Sequence, residues 1–338
     1  MQHPLDPVAA VTHPNPYPYY DTLAQQASLA WDAHLNLWIA AHPVLVRAVM
    51  THADCHVRPL HEAVPAAIIG PAGNVFGELA RMNDGARHAA RRAALAPVLA
   101  PWTDVVVARH ARRVATMLLR DGIGTAAQLN FFTQTVPVCT VASLLGCAED
   151  DLPRIAQWTA AFVACLSPLS TAPQVAQAHS AAQALLGVLG ALPTARGADP
   201  VDAANLLGLL SQTYEATAGL LGNCIVGLLR GAAPVNLVAT TMRRDPAIHN
   251  TRRFAAREVT IGPLTVHAGQ GILVVLAAAG MQHGFGHGPH CCPGKEIACI
   301  IAEYALETLL AAGPLPRVAW RYRPSVNARI PVFMAEAS

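Results

Sequence analysis

The stretch "GFGHGPHCCPGKEIA" (residues 284–298) sets four glycines and two adjacent cysteines just ahead of a helical pattern. Glycines at 284, 286 and 288 permit positive φ, and so a tight loop that approaches a flat partner closely. Cys292 precedes Pro293, and proline suits the first position of a helix. That register places Cys292 at the opening of "PGKEIACIIAEYALETLL", where free N–H groups and the helix dipole favour a thiolate. A thiolate there can ligate a metal ion, with backbone donors tuning its potential. Two other readings stand beside this one. A cysteine at a helix start can be merely buried. A zinc site could draw on His283, His287, His290 and the cysteine pair, but the adjacent pair fits paired zinc-ligand spacing poorly.

Around this loop lies a chain of 338 residues, long enough to bury a sizeable core. Its 53% apolar and 13% charged content suits a predominantly helical soluble protein. A formal charge of +2 implies no strong field for nucleic acid or a membrane surface. The opening "MQHPLDPVAAVTHPNPYPYY" lacks the basic n-region and apolar core of a signal peptide. The longest apolar run, "GILVVLAAAGM", falls well short of the roughly 20 residues a membrane span needs. Eight scattered cysteines in so large a chain argue against a disulfide framework and for mostly buried, inert thiols in a reducing cytoplasm.

The periodicity predicts two short strands around a "DAHLN" turn within residues 28–42, and a proline-started helix at "PVLVRAVM". From Asp84 onward, segment after segment carries apolar residues at three- and four-residue spacing, punctuated by proline, glycine and Asp or Thr caps. Residues 199–230 form the longest helix candidate, apolar nearly all round and therefore expected to cross the middle of the molecule. "REVTIGPLTVHAGQGILVVLAA" (257–278) alternates as small antiparallel strands do. A final amphipathic helix and a closing strand pair in "VAWRYRPSVNARIPVFMA" complete the chain. The expectation is one domain, 1–338, mainly α with small β-sheets.

"FGHGPHCCPG" (285–294) resembles the haem-thiolate loop of the cytochromes P450, Phe-Gly-x-Gly-x-His-x-Cys-x-Gly. Phe285, Gly286, Gly288, His290, Cys292 and Gly294 fill every fixed place. The resemblance implies a P450-like fold holding haem b (iron protoporphyrin IX), with Cys292 rather than Cys291 as the axial metal ligand. It gives Phe285 the shielding of the sulfur and His290 a haem propionate. "DGARHAARRAAL" resembles the family's His-x-x-x-Arg helix, so His88 and Arg92 would bind propionates. A charge-assisted bond to such a carboxylate is worth roughly 1.5–3 kcal/mol when shielded. Arg253, in preference to Arg252, would bind a propionate from the stretch after the family's Glu-x-x-Arg helix. "SVNARIPVF" looks like the hairpin bordering the substrate cavity.

Two departures from the family pattern stand out. Where the long helix commonly reads Ala-Gly-x-Glu/Asp-Thr-Thr over the iron, this chain has "QTYEATAGLLGN". The acid is Glu215, but the first threonine, which helps deliver protons, is Ala216. Thr217 lies one residue on, about 100° around the helix, and cannot simply substitute. A buried Glu215 in so apolar a helix suggests work, or else a structural partner beside a wet cleft. In the Glu-x-x-Arg element the glutamate is Thr240 and the arginine Arg243, so a buried arginine would be stripped of its carboxylate at a cost of several kcal/mol. The chain is also abruptly short at 230–234 and 280–284. Either it is a naturally reduced member or whole stretches have dropped out at these joins; the abruptness favours the second.

The expected function is therefore haem-thiolate oxidation of a small, largely apolar molecule or natural-product intermediate, in the cytoplasm. Glu215, Ala216 and Thr217 are the candidate catalytic positions. Electrons would come from a ferredoxin-type partner, because no flavin or dinucleotide fingerprint is present. The missing threonine leaves a peroxide-driven or coupling variant as the alternative. A non-catalytic haem protein that binds or senses a ligand is a further one.

Overall fold

The computed structural model describes residues 3–195, 200–278 and 283–336. Helix α1 (Tyr17–Ala24) leads into the antiparallel hairpin β1 (Ala30–Asp32) and β2 (Leu37–Ala40). Asp32 Oδ1 accepts from the N–H groups of His34 and Leu35, which closes the expected turn. Pro43 starts α2 (Pro43–Thr51), and β3 (Cys55–His56) follows as a two-residue edge. Six helices come next: α3 (Pro71–Glu78), α4 (Gly85–Leu99), α5 (Asp104–Leu118), α6 (Ala126–Leu144), α7 (Leu152–Ala164) and α8 (Ala172–Gly190). Thr125 and Gln128 form a capping box at the start of α6.

The long helix α9 (Pro200–Leu229) has 30 residues, roughly 45 Å at 1.5 Å per residue, and packs against α3, α4, α6, α7, α8 and α11. It is apolar nearly all round because other elements cover it over most of its length. Its end is a Schellman motif: Gly231, at φ 86°, donates to Leu228 O and Ala232 donates to Gly227 O. Only a short link then separates it from α10 (Leu237–Arg244). The first short join is thus closed by a turn with no helix in it. The second join lies largely outside the described residues.

Strands β4 (Asn250–Ala255), β5 (Val259–Ile261), β6 (Leu264–Val266) and β7 (Gly271–Val275) precede α11 (Lys295–Ala312), β8 (Val318–Tyr322) and β9 (Pro331–Ala335). The main sheet runs β1-β2-β7-β4-β3. The reading of 257–278 as one antiparallel set holds only for the β5–β6 hairpin. β7 leaves it and lies parallel to β2, antiparallel to β4, with all five residues buried. A strand covered on both faces has no reason to alternate, and "GILVV" does not. β8 and β9 pair antiparallel, as the closing text predicts.

A buried ion pair ties these parts together. Arg329 is 0% exposed; its Nε donates to Asp245 Oδ1 at 2.7 Å, and its other nitrogens donate to the carbonyls of Val11, His13 and Pro14. Tyr17 donates to the same Asp245 oxygen, and the Arg329 guanidinium lies 3.5 Å from the centre of the Tyr322 ring. Asn223 of α9 reaches the Asp245 carbonyl at 2.9 Å. Arg243, by contrast, is exposed. The expectation of a stranded buried arginine at that position is corrected: with Thr240 for a partner, Arg243 stays in solvent, and the buried charge pair is built from Asp245 and Arg329 instead.

Candidate functional site

The loop 283–294 is shaped by its own backbone. Gly286 donates to His283 O at 2.8 Å, and Cys292 donates to Phe285 O at 2.8 Å. Gly288, at φ 66°, lies so close to the end of α2 that a Cβ there would sit 3.0 Å from Thr51 Cγ2. Helix α11 begins at Lys295 with Gly294 as its cap, because the first i to i−4 bond runs from Ala298 N to Gly294 O. Cys292 therefore precedes the helix by three residues, and Pro293 lies in the turn, not at the first helical position. The dipole argument is corrected accordingly. Burial pushes the Cys292 thiol up, and the Gly294 N–H and Arg92 only partly offset it. A half-buried thiol in this state needs a cation at its sulfur to become the thiolate.

Around the loop the fold gathers residues that lie far apart in the chain. His88, on the buried face of α4, stacks on His290 with ring centres 4.1 Å apart. His290 Nε2 donates to Asp84 Oδ1 at 3.2 Å, and Val57 N donates to Asp84 Oδ2. Burial tends to raise the Asp84 carboxyl, but His290 and the Val57 N–H outweigh it and hold it below the usual carboxylate range. Burial, then His290 and Arg92, keep His88 below the ordinary histidine value. Arg92 Nη1 donates to Cys291 O at 2.6 Å, pinning the loop to α4. Arg253 of β4 is 4% exposed, with Asp84 and Cys55 among the groups that offset its burial, while Arg252 is exposed. Phe285 lies beside Lys295, whose Nζ is 6.0 Å from the ring centre.

Asp84 thus meets His290 and His56 directly, with His88 and Arg253 near it, while Arg92 holds the loop itself. Arg253 forms no ion pair among the described residues: its Nη1 donates to Arg252 O and Thr251 Oγ1. A nearly buried guanidinium without a carboxylate is expensive. A flat cofactor with two acidic arms and a metal that takes a thiolate fits this donor set. Zinc does not: no group of three or more histidines, cysteines or carboxylates among the described residues could hold a metal ion. All eight cysteines are free thiols.

On α9, residues 204–208 and 217–226 are buried, but between them Gln212 is exposed and Thr213 to Ala216 are half-exposed. Five successive residues sweep more than one full turn, so the helix opens on a cleft at its middle. Glu215 and Ala216 face that opening. Thr217 is 2% exposed and does not. Glu215 is not buried, as one reading expected; it is paired at the cleft, as the other had it, because Arg323, just past β8, donates to its Oε1 at 2.6 Å. Arg81, in the 3-10 turn Ala80–Met82, is the other charged group near it. Asp84, Arg81 and Arg323 escape sequence reading. Asp84 has the position of an ordinary helix cap, yet its carboxylate is spent on Val57 and His290; the two arginines meet Glu215 only through the fold.

No family model matches the chain. It is 22% identical to the biotin biosynthesis cytochrome P450 of Bacillus subtilis strain 168, over 93% of this chain and 94% of that one. That alignment runs over 373 positions against 338 residues here, so the relative carries stretches with no counterpart in this chain. The chain is also 27% identical to the mycinamicin IV hydroxylase/epoxidase of Micromonospora griseorubida, over 61% of this chain and 64% of that one. Among solved structures, CalO2 superposes with a TM-score of 0.81 at 17% identity, covering 98% of both chains. P450BioI in complex with an acyl carrier protein superposes at 0.77 and 19%, over 94% of this chain and 97% of that one. No described helix is long and apolar enough to cross a membrane. The filled cysteine loop, the fold and curated relatives that are all cytochromes P450 agree, so along its length the chain is similar to that haem-thiolate family.

Proposed function

We propose that residues 1–338 form one haem domain that oxidises a small molecule with dioxygen, taking electrons from a ferredoxin-type partner in the cytoplasm. The observation that carries this reading is the convergence of His88, Arg92, Arg253 and His290 beside the Cys292 loop. Cys292 Sγ would hold the haem iron, and the bond from Cys292 N to Phe285 O fixes the backbone that presents it. His88, Arg92, His290 and Arg253 would hold the two propionates, and Phe285 would keep water from the sulfur. When bound, the haem supplies reductive activation of dioxygen, and thiolate donation favours O–O cleavage. Arg323 holds the Glu215 carboxylate at the α9 opening, next to Ala216.

The reduced, carbon monoxide-bound spectrum tests the assignment. A strongly red-shifted Soret band is expected, lost in Cys292→Ser and retained in Cys291→Ser. A protein that refuses haemin, or a band that survives Cys292→Ser, overturns it.

Ala216 supports a second reading, in which hydrogen peroxide is the oxidant. The half-open place beside Glu215 carries a methyl group, while the Thr217 hydroxyl is turned into the core. Turnover with peroxide and no electron donor selects this reading. Failure with peroxide, alongside turnover with ferredoxin and its reductase, rejects it.

A further inference from the structure

The opening in α9 has a charge balance that an apolar substrate leaves unresolved. Three elements bring charged side chains towards it: Arg81, two residues after the Leu79 that packs on Gly208 of α9, Glu215 from α9 and Arg323 just past β8. Glu215 and Arg323 satisfy each other at 2.6 Å, and Tyr214 also bonds to Arg323. Arg81 is different. It makes no hydrogen bond or ion pair with any described residue, and its Nε is buried without a partner. Its backbone is held firmly, because Asn205 of α9 accepts from Ala80 N at 2.8 Å and donates to Glu78 O at 3.0 Å. Arg81 is half-buried, and a guanidinium whose Nε is closed off without an acceptor is costly unless something anionic completes it.

We propose that Arg81 anchors a carboxylate carried by the substrate, so that this protein acts on an apolar acid. The inference rests on the oxidative reading above and narrows its substrate class. Two guanidinium groups and one carboxylate leave a single net positive charge at the opening. One free guanidinium fork matches the two oxygens of a carboxylate in a bidentate pair. A dianionic phosphate would bring a second charge towards Glu215 with no cation left to meet it. The cations gathered at the cysteine loop, His88, Arg92, His290 and Arg253, belong to the cofactor's acidic arms, which leaves Arg81 for the substrate.

Isothermal titration of the wild-type protein with octanoic, dodecanoic and 4-phenylbutyric acids, each beside its methyl ester, tests this. At least one acid is expected to bind about 10-fold or more tightly than its ester, the worth of a shielded charged pair. Arg81→Leu should abolish that preference, leave ester binding in place and leave haem content unchanged; Arg81→Lys should restore part of it. No acid preference in any pair, a preference that survives Arg81→Leu, or haem loss in Arg81→Leu each overturns the proposal. Haem content is read separately by absorbance. An Arg81-dependent acid preference in a protein without haem sinks the oxidative reading alone. A haem-loaded protein indifferent to the carboxylate sinks only the anchor.

Discussion

Replacing Asp245 with Asn keeps the shape of the carboxylate and removes its charge from beneath Arg329. The guanidinium is 0% exposed, so no solvent can take over. Its Nε loses the charged half of a 2.7 Å bond; the Asn oxygen can still accept from Tyr17, but the amide nitrogen that replaces Oδ2 no longer accepts from Tyr322. Breaking one side of a buried pair costs about 3–5 kcal/mol, most of it the stranding of the remaining charge. For 338 residues the unfolding entropy is about 0.7 kcal/mol per kelvin near the midpoint, so the Tm should fall by about 4–7 °C. Equilibrium urea unfolding gives the free energy directly, with far-UV circular dichroism as the probe. Arg329→Met should also cost several kcal/mol, because the carbonyls of Val11, His13 and Pro14 lose their donor. The double variant should be far less damaged than the two singles added together, with a coupling of about 2–3 kcal/mol. A loss below about 1 kcal/mol in Asp245→Asn, or additive singles, refutes the hub.

Acid should weaken the fold through His249. Burial first, then the charge of Arg329, push this histidine down to about 3 from an ordinary 6.5. Its stability contribution is intact above about pH 6.5 and is lost progressively as pH falls towards 3, by up to about 1.4 kcal/mol per pH unit. In His249→Gln the urea midpoint should fall less steeply between about pH 6 and 4 than in wild type, and parallel slopes would count against the assignment. Gly288→Ala should cost about 1–3 kcal/mol and lower haem loading, since its φ is 66° and the new Cβ would meet Thr51 Cγ2 at 3.0 Å. Normal loading and stability in that variant would mean the loop can shift without consequence.

The helices and hairpins were legible wherever local chemistry decides them. The turn after β1 follows from Asp32, α2 from Pro43, and α9 from an apolar run that stops at Gly231. The cysteine loop was legible because its glycines and cysteine hold fixed places. β7 was misjudged as part of a local antiparallel set because pairing with β2, more than 230 positions earlier, leaves no local mark. The start of α11 was misplaced by two residues: proline tolerates a first helical position, but the Cys292 N–H is taken by Phe285 O and the helix waits for Gly294. Glu215 looked buried in the text because its neighbours along the chain are apolar. Its true neighbours, Arg81 and Arg323, arrive from opposite ends of the sequence.

The same logic explains how the chain keeps its architecture with Thr240 in place of the family's glutamate. Position 240 of α10 carries no acid, and Arg243 is exposed. Two residues later, Asp245 turns inward and meets Arg329 beside β9, while Asn223 of α9 and the carbonyls of residues 11, 13 and 14 close around the pair. A buried ion pair adds little net stability when complete, but it penalises any packing that separates its partners. Here those partners are the N-terminal segment, the end of α10 and the approach to β9, with α9 beneath them. The short link from α9 to α10 leaves no extra helix to hold this corner, so specificity of packing falls to that single pair. In this chain Thr240 stands where the family pattern has an acid, Arg243 is exposed, and the buried charge pair at this corner is Asp245 with Arg329.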